Sequence, residues 1–282
     1  MLVFNKQVDL TAHLKTISSS ETTFGFVPTM GALHQGHLSL LKKAIQENDI
    51  TVFSIFVNPT QFNNPEDLIN YPRTLEMDLE KIRSVSNKTI VYTPDVDDIY
   101  EGKTLSQHFD FEGLENQMEG KFRKGHFDGV GTIVKRLFEI VNPTNAYFGE
   151  KDFQQLQIIK KMVFKLKIPV NIVGCPIHRE HNGLAMSSRN ERLTMMEREE
   201  ASIVYKTIQD VKEKFKNESV LMISNWVNSR FANMENIALE YFQIADESTL
   251  LPCIRKNKNK KYRAFIAVYV NNIRLIDTIT LN

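Results

Sequence analysis

Only two cysteines, Cys175 and Cys253, occur in the 282 residues. Two thiols cannot build a disulfide framework or a four-thiolate metal site, and reduced thiols in a cytoplasmic protein are the simplest expectation. Net charge is nearly absent as well: 35 Lys and Arg against 34 Asp and Glu leave +1. That balance argues against bulk electrostatic binding to nucleic acid or an anionic membrane, and leaves room for a local basic pocket. No apolar run approaches the ~20 residues that span a bilayer. The opening run MLVFNKQVDL lacks a basic segment ahead of a long apolar core, so no signal peptide is expected. Also missing are a Gly-x-x-x-x-Gly-Lys-Ser/Thr phosphate loop, a Gly-x-Gly-x-x-Gly fingerprint and a serine nucleophile elbow. No repeat or low-complexity segment stands out.

What is present is an ordinary globular composition, 42% hydrophobic and 24% charged, with enough apolar surface to bury a core. Strand-like runs alternate with amphipathic helical patterns over the first two-thirds. Strands are expected at Phe24–Val27, Thr51–Val57, Thr89–Thr93, Ala146–Phe148 and Pro169–Val173. Helices are expected at Leu33–Gln46, Thr74–Val85, Val130–Val141 and Asp152–Leu166. The run TVFSIFV is apolar nearly throughout, as in a parallel strand covered on both faces. This alternation predicts an α/β fold, a Rossmann-like parallel sheet wrapped by helices.

After about Cys175 the rhythm changes. Thr194 and Glu197 fit a capping box that opens a helix reaching about Lys216. A second helix covers about Leu221–Met234. Strand-like runs follow at Leu239–Ile244, Ala264–Val270 and Ile273–Ile276, with Asn271-Asn272 as the tight turn between the last two. These elements predict a smaller C-terminal α+β domain, dividing the chain into residues 1–176 and 177–282. The basic run Arg255–Arg263 reads as a solvated loop, because a single aromatic within it does not support a nucleic-acid face.

Five constellations carry candidate chemistry. In Pro28–His37 (PTMGALHQGH) a glycine-bearing turn follows a strand and opens a helix, where backbone N–H groups attract anions. His34 and His37 lie one turn apart with Gly36 keeping the surface low between them, so both imidazoles can donate to phosphate. Two structural histidines, or half of a metal site, are the competing readings. Phe148–Gln155 (FGEKDFQQ) also joins a strand to a helix, so both loops can face one crevice at the strand ends. There Lys151 supplies a cation, Asp152 can cap the helix or hold a metal ion through water, and Gln155 lies on roughly the same side. Met186–Arg189, preceded by Asn182-Gly183, offers two hydroxyls and a forked guanidinium to a triphosphate, against the reading of a capped turn. Gln61, within Asn58–Phe62, has donor and acceptor on one neutral amide and suits a hydroxylated ligand; an ordinary polar loop competes. Phe122–Phe127 is a basic, glycine-containing loop, equally readable as surface charge.

Together PTMGALHQGH, FVNPTQF, NYPRTLEMDLEKI, GHFDGV, YFGEKDFQQL, GLAMSSRNERLT and the terminal RLIDT resemble the signatures of the pantoate–β-alanine ligase (pantothenate synthetase) family, in its order and over almost the whole chain. That family is similar to the nucleotidyltransferases with a His-x-Gly-His motif. The resemblance implies an ATP-dependent ligase of pantothenate biosynthesis. It would condense (R)-pantoate with β-alanine through a pantoyl-adenylate, with Mg²⁺, and release AMP and pyrophosphate. It also implies a homodimer, and the cytoplasm is the expected location.

Carried over by residue, the resemblance implies that Met30, Gly31, Ala32, Leu33, His34, Gln35, Gly36 and His37 line the ATP site. His34 and His37 would lie on the phosphates, His37 as the proton donor, with Lys151 as the third catalytic group. Gly149, Glu150, Lys151, Asp152, Met186, Ser187, Ser188 and Arg189 would complete that site. Arg123 matches an arginine near the phosphates, and His178 stands where the family contacts adenine through backbone. Gln61 and Gln155 are implied to hold pantoate, Gln61 also near β-alanine. One position departs: the family usually has Asp-Gly-Leu-Ala where this chain has Asn182-Gly183-Leu184-Ala185.

The residue chemistry suits such a reaction. Pantoate's carboxylate is ionised at pH 7 and needs no base to attack phosphorus. The protein has to align an anion with a polyanion and stabilise spreading negative charge. Three rivals remain at this level. An adenylyltransferase acting on a phosphate ester would lack the Gln61/Gln155 pocket. An aminoacyl-tRNA synthetase relative would want a basic surface that +1 does not provide. A nucleotide-binding regulatory module would need no chemistry.

Overall fold

The computed structural model describes residues 1–282. Six strands form the larger sheet: β1 (Leu2–Phe4), β2 (Phe24–Thr29), β3 (Ile50–Ile55), β4 (Ile90–Tyr92), β5 (Asn145–Gly149) and β6 (Asn171–Cys175). Their order is β1-β4-β3-β2-β5-β6, and every pairing is parallel. Successive side chains of one strand enter opposite cores, as a period of two requires. Phe26, Val52 and Ala146 join Leu10, Val134 and Ile158 on one face. Val27, Phe53 and Tyr147 join Leu41 and Ile82 on the other. The sheet is therefore covered on both sides, which explains why TVFSIFV shows no polar alternation.

The chain winds from β2 through β3 to β4, then crosses back to β5 and β6. The switch falls between β2 and β5, and the crevice at their carboxyl ends is where such sheets bind ligands. The expected parallel α/β sheet is what forms, with strand ends displaced by a residue or two. β1 and helix Gln7–Ile17 add an edge that the sequence patterns did not predict.

The second unit holds helices Met195–Glu200, Ser202–Phe215 and Val220–Phe231, then β7 (Ile237–Asp246), β8 (Tyr262–Val270) and β9 (Ile273–Thr280) in an antiparallel sheet. The capping box forms as expected. Thr194 Oγ1 accepts from Glu197 N at 3.2 Å, and Glu197 Oε2 accepts from Thr194 N at 2.7 Å. The helix expected to reach Lys216 instead divides at Ala201, whose side chain is fully buried. Asn271 takes φ +51° in the two-residue turn, with Val270 paired to Ile273. Val204, Ile208, Val227, Ile266 and Val268 build a separate core here. Arg274 on β9 ties the units together by forking Glu119 with two bonds of 2.8 Å. The basic run departs from expectation at its end, where Arg263 is buried on β8 against Glu150 and Glu247. No helix is long and apolar enough to cross a membrane.

Candidate active site

Between β2 and helix Gln35–Glu47 the chain makes a turn with Gly31 at φ +82° and Ala32 at φ +50°. Other elements hold its backbone. Ala32 N and Leu33 N donate to the Asp78 carboxylate at 2.9 and 2.8 Å. Leu33 O accepts Lys81 Nζ at 2.6 Å, and Ala32 O accepts Ser188 Oγ at 2.9 Å. Gly31, Ala32 and Leu33 thus form the buried backing of the turn, and Gln35 is exposed. Met30, His34, Gly36 and His37 line the cleft.

The two imidazoles stack with centroids 3.9 Å apart. Gly36 permits this, because a Cβ there would lie 2.8 Å from His34 Cε1. Burial above all lowers both pKa values, to about 2 for His34 and about 4 for His37. Each ring's neighbours add to this: His37 for His34, and Lys151 and Lys81 for both. Both rings are therefore neutral at pH 7. His37 Nδ1 accepts from His34 N at 3.3 Å, which assigns its proton to Nε2 as a donor. His34 Nδ1 is buried without a partner, an unmet group of the kind a ligand satisfies.

After β5, Glu150–Asp152 make one helical turn ahead of helix Phe153–Leu166. Gly149, Lys151, Asp152 and Gln155 line the same cleft as the histidines. Lys151 Nζ contacts Asp152 Oδ2 at 3.0 Å, and Asp152 makes no cap to the helix. Glu150 instead pairs with Arg263 at 3.1 Å. Met186, Ser187, Ser188 and Arg189 also line the cleft. Ser187 Oγ accepts from Arg189 N at 3.2 Å. The Arg189 guanidinium meets Asp67 at 2.6 Å. His178 lines the wall too, its carbonyl accepting from Met186 N at 3.0 Å.

Gln61 is held at three points. Its Nε2 approaches Met30 Sδ at 3.0 Å, its Oε1 accepts from Asn58 Nδ2 at 3.1 Å, and its carbonyl accepts from His126 Nδ1 at 2.8 Å. Burial, then Arg123, drive the His126 pKa down to about 3, so a neutral ring donates that bond. Arg123 Nη2 reaches the same carbonyl at 3.4 Å. The basic loop is thus a support behind Gln61, and Arg123 lines a smaller adjoining cavity rather than the cleft itself.

Asn182 Oδ1 accepts from Leu184 N at 3.1 Å, and Gly183 takes φ +92°. Residues that pattern reading passed over include Asn58, Asp67, Tyr71, Asp78 and Lys81. Asp78 carries a signal in hindsight: a carboxylate four residues before Ile82, on the buried face of an amphipathic helix.

No group of three or more His, Cys, Asp or Glu could hold a metal ion by itself. Asp152 is the one carboxylate lining the cleft. A single carboxylate fits Mg²⁺ that keeps its waters and shares phosphate oxygens with a nucleotide. The cleft therefore gathers cations and neutral donors, with neutral amides among its lining residues.

Known proteins match this arrangement from end to end. The family model described as pantoate-beta-alanine ligase matches residues 2–280. The chain is 64% identical over 281 residues to pantothenate synthetase of Flavobacterium psychrophilum, covering 100% of both chains. It is 52% identical over 282 residues to the Christiangramia forsetii protein of that name, again covering 100% of both. A pantothenate synthetase structure from Thermus thermophilus superposes with TM-score 0.91 at 36% identity, covering 100% of this chain and 99% of that one. The pantoate-beta-alanine ligase of Francisella tularensis, complexed with beta-gamma ATP and beta-alanine, superposes with TM-score 0.83 at 36% identity, covering 100% and 98%. Motif order, sheet topology and full-length identity agree: the chain belongs to the pantoate–β-alanine ligase family.

Proposed function

We propose that this cleft joins (R)-pantoate to β-alanine in two steps at one site. First, a pantoate carboxylate oxygen attacks the α-phosphorus of ATP. The bond to pyrophosphate breaks and pantoyl-adenylate forms. Second, the β-alanine amine attacks the acyl carbon. The C–N bond forms, the acyl–oxygen bond to AMP breaks, and the neutral amine gives up one proton to solvent. The Francisella complex with a nucleotide and β-alanine supports these ligands for a chain 36% identical to it.

The roles follow from the chemistry of each group. His37 Nε2–H and the His34 ring donate to the phosphates, and the start of helix Gln35–Glu47 adds its dipole. Lys151, Arg189 and Ser187 offset charge that spreads in the transition state. The amides of Gln61 and Gln155 hold pantoate, which carries hydroxyls and one carboxylate. Mg²⁺ would neutralise phosphate charge, and Asp152 would hold it through water. Residues 1–176 supply most of the site, and residues 177–282 close it with Met186–Arg189. The family resemblance supports a homodimer, and the unpaired thiols of Cys175 and Cys253 suit the reducing cytoplasm.

The observation that carries this reading is the neutral His34–His37 stack with its unpartnered nitrogen, in one cleft with Lys151 and the Gln61/Gln155 amides. Pantoate-dependent ATP–pyrophosphate exchange tests it. Exchange is expected with pantoate and without β-alanine. Exchange that ignores pantoate, or that requires β-alanine, overturns the stepwise mechanism. A monomer by light scattering would remove the homodimer.

A further inference from the structure

The motif NYPRTLEMDLEKI has no part in the roles above, yet helix Leu75–Val85 lies behind the histidine turn. Asp78 on this helix is 0% exposed. Its partners are all hydrogen donors: Ala32 N at 2.9 Å, Leu33 N at 2.8 Å and Thr74 Oγ1 at 3.2 Å. One turn on, Lys81 Nζ donates to Leu33 O at 2.6 Å. The helix therefore grips both polar groups of Leu33 and the N–H of Ala32. Ala32 sits at φ +50°, a conformation that a side chain resists and that persists only where the surroundings over-determine it. His34, whose ring stacks on His37, follows directly after Leu33.

We propose that Asp78 and Lys81 are positioning residues for adenylate formation, a two-residue clamp that sets the height and angle of His34 without touching nucleotide. The inference rests on the function proposed above. A buried carboxylate near phosphates also invites a metal-ligand reading. Asp78 does not line the cleft, and both its oxygens already accept backbone N–H groups. Lys81 likewise points its ammonium at a peptide carbonyl rather than into the cleft. Binding of pantoate falls to other residues, so the clamp acts on kcat and leaves pantoate KM alone.

The test is pantoate-dependent exchange by the full chain, with Lys81→Met, Lys81→Arg and Asp78→Asn beside wild type, each checked for its melting temperature. A misplacement near 1 Å costs up to about 10²-fold in rate. Lys81→Met is expected to lower kcat roughly tenfold at unchanged pantoate KM, and Lys81→Arg, which keeps a donor, to recover to within about threefold. Asp78→Asn, which turns one acceptor into a donor facing an N–H, is expected to lose about 10². If it does not fold, the Lys81 pair still decides. A wild-type kcat in Lys81→Met overturns the clamp. So does an Asp78→Asn enzyme whose kcat returns at high Mg²⁺, which would make Asp78 a metal ligand. Wild-type chain with no exchange overturns the proposed function itself, and the clamp with it.

Discussion

His34 presents a buried, unpartnered Nδ1, whereas Arg189, lining the same cleft, already grips Asp67 at 2.6 Å. The β2 turn is built so that its donors have nothing else to do: its backbone is bound by Asp78, Lys81 and Ser188. The Arg189 segment holds a guanidinium with a competing carboxylate, and Arg192 lies 3.8 Å from the same Asp67. A ligand phosphate meets the first region as a preorganised site and the second as an exchange of partners. Preorganised donors act on the rate of the chemical step, and a competitor within the protein acts on affinity. Removing groups from each region should separate these two effects.

The largest effect is expected where His34, on the preorganised side, and Lys151, held beside Asp152 in the same cleft, meet developing phosphate charge. Lys151→Met and His34→Ala should each slow pantoyl-adenylate formation ~10²–10³-fold, the usual worth of one donor to developing charge. Melting temperatures should stay near wild type, since Lys151 has only its Asp152 contact to lose. Rapid-quench single turnovers measure this, and near-normal rates would strike both residues from the mechanism.

Next in size is a backbone effect outside the cleft. A Cβ at Gly183 would lie 2.1 Å from Tyr205 Cδ1, and φ is +92° there. Tyr205 in turn stacks beneath Arg179, 3.9 Å away, which forks Asp277. Gly183→Val should therefore cost about 2–4 kcal/mol of stability. An unchanged urea midpoint would dismiss the turn's importance.

How far these features could be read from sequence depends on how many residues each one uses. The parallel sheet was legible because β2, β3 and β5 are buried on both faces and read as apolar runs. Helices Pro65–Ile69, Val96–Tyr100 and Met118–Phe122 have five residues each, too few for a 3.6-residue period to show. β9 runs past its expected end at Ile276 through the polar residues Asp277, Thr278 and Thr280, where Asp277 pairs with Arg179 and Thr278 Oγ1 donates to Ala264 O. In the site, motif spacing picked out cleft-lining side chains such as His34, Gln61 and Lys151, but it also took in Gln35 and Glu150, which do not line the cleft, and passed over Tyr71, which does. It was silent on those that hold them: the Asp78 contact to Ala32 spans 46 residues, and the Arg189 contact to Asp67 spans 122.

Gln155→Ala should raise the pantoate KM about tenfold, the worth of one hydrogen bond to a charged ligand, and leave ATP affinity almost unchanged. Calorimetric titrations of each ligand would show it, and a loss confined to ATP would reassign Gln155. Asn182→Asp should change less. The present side chain donates to Arg198 O at 3.0 Å and lies 3.2 Å from Glu199 Oε2, so a carboxylate would lose a donor and face a like charge. The accepting contact to Leu184 N survives, so kcat/KM should hold within about tenfold, ~1.4 kcal/mol. A gain in activity would show that position 182 wants a carboxylate.

The smallest effect sharpens the comparison most. Asp67 and Arg189 are about a quarter exposed, so their ion pair is partly screened and worth about 1 kcal/mol or less. If triphosphate has to displace Asp67, that amount is subtracted from ATP binding. Asp67→Asn removes the competing charge and keeps a side chain of the same shape. ATP should then bind a few-fold more tightly, within about fivefold, while the single-turnover rate at saturating ATP stays the same. Weaker ATP binding in Asp67→Asn would mean that Asp67 orients Arg189 toward the phosphates. Both regions of the cleft would then be preorganised, and the contrast between them would disappear.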